Sequence, residues 1–566
     1  MKLFVQIIAA LLSILTAVAA GTIQSNTGGK WDSTGTWKGG IIPSDTDIVV
    51  ILAGHTVTVN VDNPIVEWLT VKTNGVLQFD GVKNRIISSK GDIIVEAGGK
   101  ITPSGTFNTG DALNNIQLKG NLIVDGAIEY KKLGILSGSR TINYINFQPS
   151  AVPGRTTIEG NGTVGAAYLL IGKSAATDTV TVKPGVSVSV QNIDLVKGIL
   201  DNSLNNITVT IVSRYDNAST LTAKPKYNGA GYASYLGYTN ITAGVELPDT
   251  VGNIFLQNGT KQVFLSKNVV VLNYLFLNDG KLNTGAYTVK VNGSVSNPGK
   301  GYVIGALEKP VSPLDTIRTF EIGTENGYSE ISMHFHKLIG SIMPHSIVAR
   351  TFRQMHPALK DSLSALRRYW TLTAKGGFDF LNYDVTVRYA PSDFVNSHTE
   401  KNDENSLLIA KYNPTISVST PQSWEIPKLD PLSRDTSGAG GTVTAMGLTG
   451  FAQTGAVEYT LIKEPSALSV HPQPNTVPAA MQLVQNYPNP FNPSTTLGFT
   501  LQISGLVTLK IYDALGREAS TLVNENLEAG VYHERIFDAS HCSSGIYFAR
   551  LTGGGITKVM RMMLVK

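Results

Sequence analysis

The stretch GHTVTVNVDNPIVEWLTVKTNGVLQFDGVKNRIISSKGDIIVEAGGKI, Gly54 to Ile101, decides the fold. It alternates apolar and polar residues in short runs, the period of a strand with one buried face. Each run ends at a glycine turn, and the turn glycines Gly54, Gly75, Gly98 and Gly120 stand 21, 23 and 22 residues apart. A repeat of that length is one coil of a parallel β-helix, in which no coil buries its apolar face alone and stacking creates the core. The expected strands around the turns are Thr56 to Val61, Leu69 to Phe79, Ile93 to Ile101 and Asn121 to Tyr130.

Upstream, a segment with Trp31 and Trp37, followed by Asp45 and Asp47 after Pro43, reads as the cap that keeps the first coil from pairing with other chains. Downstream, between about 135 and 250, the repeat is irregular, although Val180 to Val190 and Ile207 to Val212 still alternate. The period returns over Val251 to Asn297, with runs ending at Gly259, Gly280 and Gly293. At Gly305 the character changes. Tyr383, Val385, Val387 and Tyr389 share one face of a strand, and Arg318 to Ile331, Arg367 to Ala374 and Ser406 to Asn413 supply further strands of a sandwich. Lys463 to Met481 holds Pro465, Pro472, Pro474 and Pro478 in a polar setting, the composition of a semi-extended tether.

Charged residues are only 16% and Gly is 56 of 566, which favours ordered β-rich extracellular material over disorder. The net charge of +4 comes without any basic run longer than a pair, so no nucleic-acid partner is expected. Met1-Lys2, the apolar run Leu3 to Val18 and Ala17-Val18-Ala19-Ala20 have the three parts of a secretory signal peptide, expected over residues 1–20. The single cysteine, Cys542, makes no internal disulfide, so burial and backbone pairing must hold the fold.

The last 85 residues open on NYPNPFNPST, Asn486 to Thr495, whose prolines exclude a helix. Six short apolar runs follow, cut by hairpin chemistry at Asp513 to Gly516, Ala529-Gly530, Ser543 to Gly545 and Gly553 to Gly555. They predict a small antiparallel sandwich. In that opening motif, in LKIYDALGRE, EAGVYHERIFD and SSGIYFARL, and in the final TKVMRMMLVK, the segment resembles the type A C-terminal sorting domain of type IX secretion system cargo. The resemblance implies sorting-signal roles for Asn489, Pro490, Asn492, Pro493, Gly516, Gly530, Gly545, Lys558 and Lys566. It also implies a translocon and a surface sortase as partners, a lipopolysaccharide anchor or release, and export to the surface of a Gram-negative bacterium. The coil region is similar to the right-handed parallel β-helix portions of such cargo.

The expectation is thus an all-β chain: signal peptide 1–20, right-handed parallel β-helix 21–304, β-sandwich 305–462, linker 463–481 and an antiparallel sorting sandwich 482–566. For the β-helix, two roles compete: structural, adhesive or glycan-binding contact, and polysaccharide lyase or glycoside hydrolase chemistry. Glycosidic cleavage generally wants two carboxyls facing one bond, and the chain contains no Asp-Asp pair. Asp45 and Asp47 read as a Ser/Asp turn. His334 and His336 alternate and share a strand face, but spacing supplies no third metal ligand, so neither a metal nor a cofactor is expected. Gly-x-Ser-x-Gly is absent, and Leu170 to Ser174 lacks the first glycine of a phosphate loop. Tyr227, Tyr232, Tyr235 and Tyr238, set among Gly and Asn, have the composition of a sugar-stacking surface or of a loop packed over the coils.

Overall fold

Apolar residues spaced one coil apart come to lie on top of one another. In the computed structural model, parallel pairing sets Val57 beside Leu77, Leu77 beside Ile101, Ile101 beside Ile128, Ile128 beside Val164 and Val164 beside Val188. All six are buried, an interior stack that water cannot enter. The structure describes residues 21–565 with interruptions, the longer ones at 103–111, 130–140, 150–154, 340–344, 360–364, 395–405, 413–423, 428–433, 449–455 and 464–480. The chain divides into two units, 1–463 and 464–566.

In the first unit a β-solenoid of about 11 turns covers residues 48–323. Each coil crosses three faces. The first carries Ile48–Ile51, Trp68–Val71, Ile93–Val95, Leu122–Val124, Arg155–Glu159 and Thr179–Val182 in parallel order. The second carries Thr56–Val59 and Val76–Phe79 and their successors, and the third carries Ile65–Val66, Arg85–Ser89, Ala112–Leu118 and Thr141–Phe147. Gly54 (φ +75°), Asn74 (φ +58°) and Gly98 (φ +77°) make the same left-handed turn in successive coils, where glycine is free of the usual penalty. At Gly75 the reason is space: a Cβ would stand 2.9 Å from the Leu52 carbonyl oxygen.

Among the described residues parallel pairing joins Thr141–Phe147 through to Lys226–Tyr235 strand by strand, in a region whose alternation is irregular in the sequence. Thr163–Gly172 and Ser187–Lys197 are long strands that turn a corner between the second and third faces. Val188 and Val190 point inward before the corner, Ile193 and Leu195 after it, so the period of two slips by one residue inside a single strand. Coil length also varies: Leu122 pairs with Ile158, 36 residues on, and Thr179 with Ile199, 20 residues on.

Trp31 and Trp37 pack together near the start, both 1% exposed and edge to face at 5.0 Å, with Trp37 Nε1 donating to the Trp31 carbonyl. Asp47 accepts from the Ser44 hydroxyl at 2.6 Å and Asp45 pairs with Lys90 at 2.9 Å, so both acids serve a turn and its neighbour.

At the other end, Tyr302–Pro310 pairs in parallel with Ile322–Thr324 and antiparallel with Ser346–Phe352. The expected 304/305 boundary falls inside this strand, through which the solenoid sheet passes into antiparallel strands Ser346–Phe352, Ala365–Lys375, Ala456–Lys463 and Leu407–Tyr412. A five-stranded antiparallel sheet, including Thr316–Phe320, Ile331–Ile339, Asp379–Tyr389 and Gly440–Leu448, shares its core. Tyr383, Val385, Val387 and Tyr389 all face that core, as the alternation predicts. The Tyr383 and Tyr459 hydroxyls meet across it at 3.1 Å, and Arg368 and Asp393, both fully buried, pair at 2.6 Å.

The described residues of the second unit form seven strands in two antiparallel sheets. A three-stranded sheet holds Gln482–Leu483, Ser494–Thr500 and Tyr532–Asp538, and a four-stranded one holds Glu518–Leu527, Gly505–Asp513, Gly545–Gly553 and Ile556–Leu564. Leu497, Phe499, Leu509, Ile511, Phe537 and Leu551 fill the space between them, with half-buried Cys542 against the same core. Residues 1–20 and most of the Pro-rich tether lie outside the described residues. Among the described residues no helix is long and apolar enough to cross a membrane.

Candidate functional site

Two places on the chain are candidates for a functional site. The first is the opening motif of the second unit. Phe491 is 1% exposed, and its backbone exchanges hydrogen bonds with the last strand: Phe491 N–H donates to the Met563 carbonyl at 2.9 Å and Val565 N–H to the Phe491 carbonyl at 3.0 Å. Asn489 Oδ1 accepts from Met563 N–H at 2.9 Å, and the buried Asn486 amide donates to Thr495 Oγ1 at 2.9 Å. The two ends of the unit are thereby tied into one surface. At the far turn Asp513 Oδ1 accepts from the N–H groups of Leu515 and Arg517, and Gly516 takes φ +79°. These bonds to backbone N–H groups, with the Arg517 guanidinium beside it, hold the Asp513 carboxyl below its ordinary value.

The second place is the outer side of the solenoid's third face. Parallel register lines up Asn115, Tyr144, Tyr168 and Asn192 in one column, and Gln117, Asn146, Leu170 and Asp194 in the next. Tyr144 and Tyr168 stack at 4.6 Å with their planes 14° apart. Beside them a groove of about 290 Å³ is lined by Asn84, Ile86, Leu113, Asn115, Tyr144, Asn146 and Leu170. The side-chain oxygens of Asn115, Asn146 and Asn192 are buried with no hydrogen-bond partner, and Asn192 is only 9% exposed. Buried polar atoms are normally paired, so these three amides are an unusual feature of this face.

Asp194 completes this face. It is 8% exposed, and burial pushes its carboxyl up to about 6, partly opposed by the Ser213 hydroxyl. Burial, then the Asp194 charge and the Tyr168 and Tyr144 phenols, push the Tyr215 hydroxyl up to about 12. A carboxyl that changes charge near pH 6 beneath aromatic rings can donate a hydrogen bond when protonated and accept one when ionised.

The four tyrosines that read as a sugar-stacking surface or as a loop packed over the coils take different positions. Tyr235 is fully buried, its hydroxyl 3.3 Å from Glu246 Oε1, an oxygen that also receives Arg214 Nη1 at 2.7 Å. The Tyr227 hydroxyl donates to the Glu246 backbone carbonyl. A buried phenol needs a polar partner, and Arg214 with Glu246, 2% and 0% exposed, supplies it. Tyr235 therefore belongs to the coil interior, and half-buried Tyr227 packs against the solenoid core. Tyr232 lies on the outer face near Phe255, ring centroids 6.2 Å apart, and Tyr238 stands 84% exposed by itself.

Residues 485–566 match the secretion system C-terminal sorting domain family. This is a type IX sorting tail, which implies a secreted or surface-exposed cargo and contact with the type IX secretion machinery. Residues 36–147 match the G8 domain, a span of solenoid that includes the groove strands Arg85–Ser89 to Thr141–Phe147. No curated protein and no solved structure matches the chain. Within the sorting domain, Asn489, Pro490, Asn492 and Pro493 lie in the loop that meets the last strand, Gly516 in the turn between Gly505–Asp513 and Glu518–Leu527, Gly545 at the start of its strand, and Lys558 on the exposed side of Ile556–Leu564. Gly530 and Lys566 fall outside the described residues. The groove residues escaped composition-based reading, yet a signal was present. Tyr144, Tyr168 and Asn192 are spaced by 24 residues, as are Asn146, Leu170 and Asp194, one coil each.

Proposed function

We propose that this chain is an exported surface or secreted protein whose solenoid binds an extracellular glycan on its third face, in a structural or adhesive role. The observation that carries this reading is the stacked pair of Tyr144 and Tyr168 rings on the face where a groove is lined by Tyr144 and the amide side chains of Asn84, Asn115 and Asn146. Sugars offer apolar ring faces for stacking and hydroxyls for amide side chains. A face of aromatic rings and amides with Asp194 in the neighbouring column suits neutral polysaccharide better than uronate-rich or sulfated chains, whose negative charge would face Asp194 without compensation. The sorting-signal residues named above act as the tail's reading surface for the translocon. Recognition is followed by cleavage by a surface sortase in the tether and by attachment to lipopolysaccharide or release, in a Gram-negative host whose inner-membrane step uses residues 1–20 as signal peptide.

A second reading, polysaccharide cleavage, is favoured by one observation, the raised Asp194 carboxyl. Binding of the full chain to a glycan array, followed by a depolymerisation assay on each bound glycan, separates the two. Retention of a neutral polysaccharide without product, weakened at least about tenfold in Tyr168→Ala, supports contact, since stacking losses of this kind cost about 1.5 kcal/mol. Product that forms reproducibly and disappears in Asp194→Asn replaces contact with catalysis, and absence of any glycan binding removes both.

A further inference from the structure

We infer that the five-stranded sheet of the sandwich carries a divalent transition-metal site formed by His334, His336 and Asp384. The two histidines project from the outer side of Ile331–Ile339, opposite the buried Met333 and Phe335. The ligand that spacing alone cannot supply comes from the neighbouring strand, where Asp384 is the cross-strand partner of His334. His336 Nε2 lies 2.8 Å and His334 Nδ1 3.8 Å from Asp384 Oδ2, and one atom of each side chain falls within 4.8 Å of the others. Ligands about 2.0–2.2 Å from a tetrahedral zinc stand roughly 3.3 Å from each other, so the two distances bracket the separation required.

The carboxylate is held for this task from behind. Gly447 N–H donates to Asp384 Oδ1 at 2.8 Å, leaving Oδ2 turned toward the imidazoles. The register of Asp379–Tyr389 against Gly440–Leu448 shifts between Tyr383 and Val385, and Gly447 takes φ +66°. That local bulge aims the N–H at the carboxylate, the kind of outer-sphere bond that orients a metal ligand. Asp384 is buried while each histidine side chain is 36% exposed. Two imidazole nitrogens and one carboxylate select zinc or a neighbouring transition ion over calcium or magnesium, which take oxygen ligands. Three protein ligands leave a coordination position open on the solvent side, available to water or to an oxygen or nitrogen donor of another molecule.

The test uses the full chain, stripped with chelator, dialysed and titrated with Zn2+ by calorimetry, with bound metal counted by elemental analysis. The expected result is one zinc per chain, with affinity lowered at least about tenfold in His334→Gln and in His336→Gln, both partly exposed positions where folding is retained. Asp384→Asn should weaken binding too, and Co2+ loaded in place of Zn2+ should show visible ligand-field bands in the native chain only. His55→Gln, remote in sequence and bonded to Ser25, leaves the affinity unchanged. Absence of stoichiometric binding, or binding of undiminished affinity in the His334→Gln/His336→Gln double variant, overturns the assignment and leaves His336 and Asp384 as an ordinary ion pair.

Discussion

Asp194 carries a charge that its surroundings disfavour, and stability must register this. Its carboxyl is raised from 3.8 to about 6 in the folded chain, so the folded state holds a proton that the unfolded state has released. The contribution is fully present below about pH 4 and is lost as pH rises through 6, a change on the order of 2–3 kcal/mol. Urea unfolding of native protein and Asp194→Asn at pH 4.5 and pH 7.5 checks the sign. The variant should show a smaller loss between the two, and an identical loss would place the carboxyl in contact with water. A second residue-scale expectation concerns Arg368 and Asp393, both fully buried. Arg368→Ala should cost about 3–5 kcal/mol by calorimetry, because Asp393 is left charged without its partner. Neither residue was legible as special in the sequence. Burial of a lone Asp in a polar-looking run depends on which side chains the next coil places above it, and that is set by coil length, which varies from one turn to the next.

At the scale of elements the coil grammar was legible where turns are short and strands stay on one face. Val57, Leu77 and Ile101 alternate and stack as the glycine spacing predicts. It failed at Ser187–Lys197, where a corner inside the strand shifts the inward phase from Val190 to Ile193, and a period of two no longer describes the whole element. The third metal ligand was hidden for a related reason: Asp384 lies 48 residues from His336 and only sheet pairing joins them. In the sorting domain nearly every apolar run became a strand, since hairpins keep partners close in sequence. Truncation of the interior stack, Leu77→Ala, should cost about 2–5 kcal/mol in thermal unfolding, and Phe491→Ala about 3–5 kcal/mol in the second unit. A Phe491→Ala protein that unfolds like the native chain would show that the loop's attachment to the last strand adds nothing to the domain.

For the whole molecule, division of labour follows from two units with separate cores, 1–463 and 464–566. The first offers a long regular surface, and the second a compact structure whose loop and final strand form one continuous patch. Contact function and export function can then change independently, and the glycan reading rests on the first unit alone. Export rests on the second, and one measurement reaches it most directly: the fraction of full-length and 485–566-deleted protein found outside the cell in a host with a type IX pathway. Retention of the deleted protein inside the cell envelope, with the full chain outside, is the expected result; deleted protein outside the cell in normal amount would contradict it.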